Sequence, residues 1–595
     1  MKQKLFNNDS KPACAYCKIG KLSPDESEVI CPKNGIMPAN GGCKKFVYDP
    51  LKRKPKVIRP QSYTKDEFSI EVPTLDIFKD TPVNNDDGKP KKIASIINFV
   101  RTTEHRVPDD SFLFDTLKSE LELCEKYAFA STVLFQYDAL ICEDYIELVR
   151  RFEDAQTGLW LEVVQPLAEK SGILWRGSTP WDPEVSVSYL TGYSPDERKK
   201  LIDTAFEKYK DIYGMYPAVV GAWMLDACSL AYMKDKYNIS AACICKEQYG
   251  TDGITFRGGF FNGAYYPCRN NALCPANTKE NQIDVPVFRM LGPDSIHQYD
   301  SGLGTADYKQ AVCTLEPVCE GYGGNREWVE NFLNENYNDK CLSFAFAQFG
   351  QENSFGWEDI SKGLPMQMEL LKEKVRTGEI QIMALEEAGN WYSDTFDETV
   401  PEAMCTDNDL TGDGYRSIWY YSKYYRVNII SRDENVWIRD LSIFDENYKE
   451  QFLDKANREK RAGQFTLPVM DGLLFSNDSI RAGIYPVGSN TADLLSTALK
   501  DEIIATAGNL SYDIFPNKIL CKSKSDDWHF EFRTADNDKI PYIGVAEKKL
   551  FMSFRGFSDD SFDYSLSLSK GRFEEKAGVI SVYPENGEIE FKFDE

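Results

Sequence analysis

The chain has 595 residues and a formal net charge of −25 at pH 7. Such an excess of negative charge argues against nucleic-acid ligands, whose phosphates it would repel, and against anionic membrane surfaces. No apolar stretch reaches the roughly 20 residues of a membrane span and the first residues lack a signal-peptide core, so we expect a cytoplasmic protein.

The first predicted unit is a four-cysteine module over residues 1–58. Its cysteines lie in a stretch too short for a hydrophobic core, and they are Cys14, Cys17, Cys31 and Cys43. Four thiolates can close a tetrahedral zinc site, whose binding energy would fold such a segment. We therefore predict a structural metal in a zinc-ribbon-like module, with zinc favoured, iron as one alternative and free thiols as another. The basic, proline-rich residues that follow predict a linker over residues 59–92.

Seven short apolar runs dominate the next part of the chain. They cover residues 93–100, 131–136, 158–164, 218–225, 239–245, 342–347 and 380–385. Runs of this length that are apolar on both faces are typical of buried parallel strands, and helical spacing separates most of them. This alternation predicts an α/β fold, a (β/α)7 barrel over residues 93–405, with a long insertion at residues 248–340.

The pattern of apolar residues changes in the last third of the chain. Aromatic and β-branched runs recur there, for example at residues 417–425, 437–443, 548–554 and 578–583. Such runs, bounded by turn residues, predict an antiparallel β-sandwich over residues 406–595.

Polar and aromatic side chains follow the predicted barrel strands. Active sites of parallel barrels lie at the carboxyl ends of the strands, so we expect these residues to share one mouth. The candidate substrate-binding residues are Glu104, Arg106, Gln136, Asp138, Trp160, Glu162, Gln165, Trp223, Gln351, Glu352, Trp357 and Trp391, and the candidate catalytic residues are Asp226, Glu386 and Glu387. Carboxylate pairs cleave glycosidic bonds and indoles stack on sugar faces, which favours an oligosaccharide or glycoside substrate. For any single carboxylate, a salt bridge with Arg101, Arg106 or Arg176 is the alternative.

Histidine is scarce, with three residues in the whole chain and no closely spaced pair. This argues against a catalytic zinc held by histidines, so we expect no cofactor at the active site.

The segment 221–228 contains Gly221, Trp223 and Asp226 and resembles the G-x-W-x-x-E motif of family 57 glycoside hydrolases. Those enzymes belong to the seven-stranded glycoside hydrolase/deacetylase barrel superfamily. The resemblance implies that Asp226 is the nucleophile and that Glu386 or Glu387 is the acid. Two features depart from the family: Asp replaces the nucleophilic Glu, and residues 101–106 replace the histidine motif of the first strand.

Three hypotheses follow for function. The leading one is a glycoside hydrolase that uses the carboxylates at the barrel mouth. The second is a non-catalytic carbohydrate-binding or sensing protein on a degenerate barrel. The third is a metal-dependent hydrolase similar to polysaccharide deacetylases, whose metal would need Asp and Glu ligands because the family's His pair is replaced at residues 160–165.

Overall fold

The computed structural model describes residues 13–23, 27–47, 49, 52, 90–104, 111–251, 253–292, 294–299, 314–489, 491–525, 527–535, 538–558 and 560–593. The chain forms two compact units, Met1–Lys79 and Asp80–Glu595. Arg106, and the predicted linker up to residue 89, lie outside the described residues. Within the described part, no helix is long and apolar enough to cross a membrane.

The first unit is a small antiparallel sheet after a 3-10 turn at Cys14–Tyr16. Its strands are β1 (Lys21–Leu22), β2 (Glu28–Cys31) and β3 (Gly35–Pro38). Val29, in the central strand, is its buried aliphatic residue, at 1% exposure. One buried valine among the described residues is a small apolar core, and a metal bound by the four cysteines stays the predicted source of stability for this unit.

The second unit alternates strands and helices as far as residue 395. In chain order the elements are β4 (Lys91–Val100), α1 (Phe112–Tyr127), β5 (Ser131–Phe135), α2 (Tyr137–Leu140), α3 (Glu143–Val149), β6 (Ala155–Trp160), α4 (Gln165–Lys170), α5 (Val185–Ser188), α6 (Pro195–Tyr213), β7 (Val219–Ala222), α7 (Ala227–Tyr237), β8 (Ala241–Cys245), β9 (Gln248–Thr251), β10 (Ile254–Arg257), β11 (Ala264–Tyr265), β12 (Pro267–Cys268), β13 (Asn271–Pro275), β14 (Val287–Met290), α8 (Arg326–Asn336), β15 (Phe344–Phe349), α9 (Trp357–Ile360), α10 (Gly363–Arg376), β16 (Gln381–Ile382) and α11 (Leu385–Thr395).

The main sheet of this unit is barrel-like. Its strands follow the order β11-β14-β8-β7-β6-β5-β4-β15, and all neighbours except β11 and β14 run parallel. Its end strands, β11 and β15, are not paired with each other within the described residues. The central strands are buried on both faces, which agrees with their uniformly apolar sequences.

One predicted barrel strand is much shorter than its apolar run. In the run 380–385 only β16 is extended, and it pairs in parallel with Ile93 and Ala94 in the amino-terminal half of β4. The insertion supplies a further strand, β14, which adds in parallel to β8. Sequence pattern identifies a buried apolar run, but strand pairing depends on which edge of the sheet remains open.

Local sequence explains the longest helix. Ser194 caps α6 in a capping box with Glu197, Pro195 takes the first helical position, and Gly214 ends the helix at a positive φ of 79°. These are the signals that satisfy the free backbone groups at helix ends. The helix fixes Arg198, fully buried, against the barrel.

The last part of the chain is almost entirely β-structure. Its strands are β17 (Glu402–Thr406), β18 (Tyr415–Tyr421), β19 (Tyr425–Arg432), β20 (Asn435–Ile443), β21 (Ala462–Phe465), β22 (Leu467–Met470), β23 (Gly483–Val487), β24 (Leu494–Leu499), β25 (Glu502–Ala507), β26 (Leu510–Phe515), β27 (Lys518–Ser523), β28 (His529–Arg533), β29 (Tyr542–Ala546), β30 (Lys549–Phe554), β31 (Phe562–Lys570), β32 (Arg572–Lys576), β33 (Val579–Tyr583) and β34 (Glu588–Lys592).

These strands form two antiparallel sheets that share an apolar core. One sheet has nine strands, in the order β17-β18-β19-β20-β23-β28-β33-β32 with β22 beside β20. The other has eight, in the order β24-β25-β26-β27-β34-β31-β30-β29. Side chains of both sheets, such as Ile438 and Tyr512, belong to one buried cluster. The predicted antiparallel character of this region is confirmed.

A buried charge network joins the barrel to the nine-stranded sheet. Glu247, just after β8, pairs with Arg257 at 2.9 Å and with Arg426 of β19 at 3.0 Å. Asp440 pairs with Arg426 at 3.0 Å, and Asp471 also pairs with Arg257. Burial alone raises the pKa of Glu247, but Arg257 and Arg426 outweigh it and lower that pKa to about 2. The network holds the two parts in a fixed arrangement because a buried charge without its partner is costly.

Candidate functional site

Arg101, which follows β4, is the centre of a carboxylate cluster at the carboxyl ends of the barrel strands. Its Nη2 atom lies 2.7 Å from Glu352 Oε2 and 3.7 Å from Glu162 Oε2, and its Nη1 atom lies 3.8 Å from Glu104 Oε2. All four residues are at most 4% exposed. We call Arg101, Glu104, Glu162 and Glu352 the mouth cluster.

The surroundings of Glu162 shift its protonation equilibrium. Gln136 donates a hydrogen bond to its Oε2 atom at 2.7 Å, and the Trp181 indole nitrogen donates another at 3.1 Å. Burial raises the pKa of Glu162 to about 6, with Arg101 opposing the shift and Glu352 adding to it. A carboxyl group with such a pKa exchanges protons near neutral pH, which is what general acid–base catalysis needs.

Three tryptophans surround this cluster. The Trp181 ring lies 4.2 Å from the Arg101 guanidinium carbon. Trp160 stacks on Phe99 with centroids 4.3 Å apart, and Trp223 packs edge-on against Trp160 at 5.4 Å. Trp223 is partly exposed, whereas Trp160 and Trp181 are buried. The mouth therefore combines carboxylates with indole surfaces, as the sequence predicts.

Two further predicted residues position the backbone around the mouth. Asp138 accepts hydrogen bonds from the Thr102 amide at 2.8 Å and from its hydroxyl at 2.7 Å. Gln351 accepts a bond from the Glu352 amide at 2.8 Å. These contacts fix the loops that follow β4 and β15, so both residues serve the mouth cluster without reaching into it.

Asp226 does not have the surroundings of a nucleophile. It is fully buried as the N-cap of α7, where Oδ1 accepts the Ser229 amide at 2.9 Å and Oδ2 accepts the Ser229 hydroxyl at 2.7 Å. Arg198 forms an ion pair with Oδ1 at 2.9 Å. Both carboxylate oxygens are thus held by buried protein groups, an arrangement that favours a structural role for Asp226 over the predicted catalytic one.

Glu386 and Glu387 lie at the opposite end of the sheet. They occupy the first turn of α11, and Glu386 Oε2 accepts a hydrogen bond from Gln156 at 2.8 Å. Gln156 is near the amino end of β6, four residues and about 13 Å before Trp160 at the carboxyl end. The predicted pairing of these glutamates with Asp226 is therefore wrong. Trp391 lies with them, in a surface cavity of about 530 Å³ that Lys91 also lines.

The physical reason for this error is the shortness of β16. A seventh strand ending at residue 385 would deliver Glu386 to the mouth, but β16 pairs only with the early part of β4. The helix α11 then begins at Leu385, beside the amino ends of the strands.

Other predicted binding residues are also outside the mouth cluster. Gln165 starts α4 and donates to Glu169 at 2.8 Å on the surface. Trp357 starts α9 and packs in the apolar cluster under α10. Arg176 does not pair with a mouth carboxylate but donates to the carbonyls of Ser186 and Gly192.

Sequence reasoning missed Trp181 and Arg198. Trp181 lies in a proline-flanked loop far from any predicted strand end, and Arg198 reads as an ordinary surface residue in a charged helix. The nearest signal for Trp181 was its position between two prolines, which is typical of an ordered loop. Arg101 was considered only as a salt-bridge partner, and the structure gives it that contact.

The N-terminal cysteines lie near one another. Burial raises the pKa of the Cys14 thiol, and the thiols of Cys43, Cys17 and Cys31 raise it further. No group of three or more His, Cys, Asp or Glu side chains among the described residues has the arrangement of a metal site. The zinc, the metal-dependent deacetylase hypothesis and the ribbon-like module all remain predictions.

No protein-family model matches the chain, and no curated protein matches it. Among solved structures it is similar to a candidate glycoside hydrolase/deacetylase from Parabacteroides distasonis, with 15% identity, a TM-score of 0.48, and coverage of 64% of this chain and 91% of that one. It is also similar to a 4-alpha-glucanotransferase from Thermococcus litoralis, with 9% identity, a TM-score of 0.29, and coverage of 84% and 99%. A peptidoglycan deacetylase from Bacillus subtilis has 12% identity and a TM-score of 0.24, and the match covers 51% and 93%. Similarities this low carry no argument about the activity of this chain.

Proposed function

We propose that this protein is a carbohydrate-active enzyme that hydrolyses a glycosidic bond at the mouth cluster. The observation that supports this most directly is the pair Glu162 and Glu352. Their carboxylate oxygens lie 3.7 Å and 2.7 Å from the same nitrogen of Arg101, so the two carboxyl groups are close neighbours. Two neighbouring carboxyl groups with different environments are what glycoside hydrolysis requires.

The two carboxyl groups differ in a way that suggests separate roles. Glu162, with a pKa of about 6, is the proton donor to the leaving oxygen. Glu352 forms the shortest ion pair with Arg101 and is the base or nucleophile. Arg101 holds both in register, and Trp223, the partly exposed indole of the mouth, offers a face for the sugar ring.

The proposal is tested by turnover of aryl glycosides and oligosaccharides as a function of pH. Because the protonated form of Glu162 is required, kcat/KM is expected to fall as the pH rises through about 6. The variant Glu162→Gln should lose about 100-fold or more in kcat/KM.

The matched control is Glu169→Gln. Glu169 is an exposed glutamate of the neighbouring helix α4, and removing its charge should leave kcat/KM unchanged. Equal turnover in Glu162→Gln and the wild-type protein would rule out the assigned role.

A second candidate is a non-catalytic carbohydrate-binding protein, and the burial of the cluster favours it. Arg101 and Glu162 are 3% and 1% exposed, as expected for an ion pair that only holds loops together. In that case the wild-type protein binds an oligosaccharide in calorimetry without releasing products, and Glu162→Gln changes its thermal midpoint rather than any rate.

A further inference from the structure

Three polar atoms beside the mouth cluster are buried and form no hydrogen bond within the described residues: Gln136 Oε1, Trp160 Nε1 and Glu162 Oε1. The side chains that carry these atoms are 0%, 2% and 1% exposed. A buried donor or acceptor without a partner costs about 1–3 kcal/mol, so three of them together point to a bound group that supplies the missing hydrogen bonds.

The three atoms come together because the strands that carry them are neighbours. Gln136 directly follows β5, Trp160 is the last residue of β6 and Glu162 lies two residues further on. The two strands pair in parallel, so these residues share the carboxyl edge of the sheet. Gln136 Nε2 donates to Glu162 Oε2 at 2.7 Å. Burial raises the pKa of Glu162, and the nearby Trp160 indole is among the groups that oppose this rise.

The two carboxyl oxygens of Glu162 have different surroundings. Oε2 accepts hydrogen bonds from Gln136 at 2.7 Å and from Trp181 at 3.1 Å, and it lies 3.7 Å from Arg101. A proton on Oε2 would meet the hydrogens of these donors. The neutral carboxyl group therefore carries its proton on Oε1, the oxygen without a partner in the described part of the chain.

The surface of the mouth lies close to these atoms. Trp223 is partly exposed, and its ring centre is 5.4 Å from that of Trp160. Trp160 stacks on Phe99 at 4.3 Å, which leaves the indole N–H at the edge of the ring for hydrogen bonding. The donor is thus one ring away from solvent. A donor next to acceptors suits a hydroxyl group, which donates one hydrogen bond and accepts others.

We propose that Gln136 and Trp160 are specificity-determining residues that bind the hydroxyl group next to the leaving oxygen of an oligosaccharide. This inference rests on the glycosidase function proposed for the mouth cluster. The Trp160 N–H donates to the hydroxyl oxygen, the hydroxyl donates to Gln136 Oε1, and Glu162 Oε1 faces the leaving oxygen. The substrate is therefore a sugar linked to a second sugar, because a simple alkyl or aryl leaving group has no such hydroxyl.

The proton on Glu162 Oε1 completes the cleavage step. As the bond between the sugar carbon and the leaving oxygen breaks, its electron pair stays on that oxygen, which takes the proton and departs as a hydroxyl group. Water gives a hydroxyl group to the sugar carbon, and its remaining proton replaces the one that Glu162 gave. A substrate that lacks the neighbouring hydroxyl leaves Gln136 and Trp160 unpaired and should react more slowly.

The test compares maltose and cellobiose with their 3-deoxy analogues, in which hydrogen replaces the hydroxyl group next to the leaving oxygen of the reducing unit. These disaccharides present both anomeric forms of a 1,4 bond. In the wild-type protein, kcat/KM should be at least about tenfold higher for one parent disaccharide than for its analogue. Trp160→Phe keeps the ring and removes the N–H, so it should lower this ratio to less than about threefold by slowing the parent. Gln136→Met, of similar volume, is the second variant and should lower the ratio in the same way.

Two controls separate recognition of the hydroxyl group from a general loss of activity. Trp328→Phe makes the same change on α8, in an apolar cluster that contains no residue of the mouth cluster, and should leave the ratio unchanged. The 2,4-dinitrophenyl glucosides have no hydroxyl group next to the leaving oxygen. Trp160→Phe should therefore slow their hydrolysis less than it slows that of the parent disaccharide.

The outcomes distinguish this inference from the proposed function. If a parent disaccharide is hydrolysed but the wild-type ratio is near one, or neither variant lowers it, the inference is overturned and the glycosidase function stands. If neither disaccharide is hydrolysed, calorimetry with the same sugars decides. Tighter binding of a parent than of its analogue, abolished in Trp160→Phe, would keep the hydroxyl contact and refute the glycosidase function, whereas equal binding or none would overturn both.

Discussion

Replacing Asp226 by Asn tests whether this residue holds the fold together or takes part in catalysis. Asn remains a good N-cap, so α7 keeps its cap while the buried charge is lost. Arg198 then keeps its hydrogen bonds to carbonyls such as those of Phe452 and Lys455 but has lost its carboxylate partner at 2.9 Å. Breaking a buried ion pair from one side costs about 3–5 kcal/mol.

The neighbouring acid Glu450 reduces the loss of stability expected for Asp226→Asn. Burial and the charge of Asp226 raise the pKa of Glu450 to about 8, so this residue is mainly protonated at pH 7 in the wild-type protein. Without the charge of Asp226 that pKa falls, and Glu450 can ionise beside Arg198. We therefore expect Asp226→Asn alone to cost about 2–3 kcal/mol, and Asp226→Asn with Glu450→Gln to reach the full 3–5 kcal/mol.

The assay is the thermal midpoint near pH 7, together with amide hydrogen exchange in α7. The double variant should lose more stability than the two single variants together, because Glu450→Gln by itself removes little charge at that pH. If Asp226→Asn instead keeps the wild-type midpoint and exchange while turnover disappears, Asp226 is an accessible catalytic group and our assignment is refuted.

Three further predictions concern other parts of the chain. Gly221→Ala should destabilise the protein by about 1–3 kcal/mol in thermal unfolding, because its new Cβ would lie 2.6 Å from a buried leucine methyl. The control Gly321→Ala has open space around the new Cβ and should leave the thermal midpoint unchanged, so equal midpoints for the two variants would contradict the packing. The lowered pKa of Glu247 stabilises the folded state above about pH 4.5, and this contribution should be lost as the pH falls toward about 2. The variant Glu247→Gln should therefore show a smaller fall of the thermal midpoint at acid pH than the wild-type protein, and parallel curves of midpoint against pH would contradict this. Elemental analysis should find zinc in the wild-type protein and in Cys142→Ser but less in Cys17→Ser, and a metal-free wild-type protein would refute the zinc site.

The carboxylate cluster shows how far the sequence leads. Glu104, Glu162 and Glu352 each follow an apolar run, and parallel strands end at the same edge of a sheet, so the sequence predicts that they share one mouth. The structure gathers these three around Arg101. Strand direction alone brings these residues together, and a short buried run encodes that direction locally.

The pair predicted from the sequence, Asp226 and Glu386, shows what local sequence does not predict. Asp226 and Glu386 each follow an apolar run, just as Glu162 does, yet one is sealed in an ion pair with Arg198 and the other lies at the amino ends of the strands. The residues around Asp226 and Glu386 indicate neither outcome, because both outcomes depend on contacts made by distant segments.

Periodicity and capping act over a few neighbouring residues, so the alternation of strands and helices, the β-rich last third and the residues that follow the first strands can be predicted from the sequence alone. Contacts between distant segments add β14 to the barrel-like sheet beside β8, limit the strand in the run 380–385 to two residues beside β4, and bring Trp181 and Arg101 to Glu162. Pairing at an open sheet edge and the choice of ion partner are settled by the competition among all segments for the same contacts, which no local pattern contains.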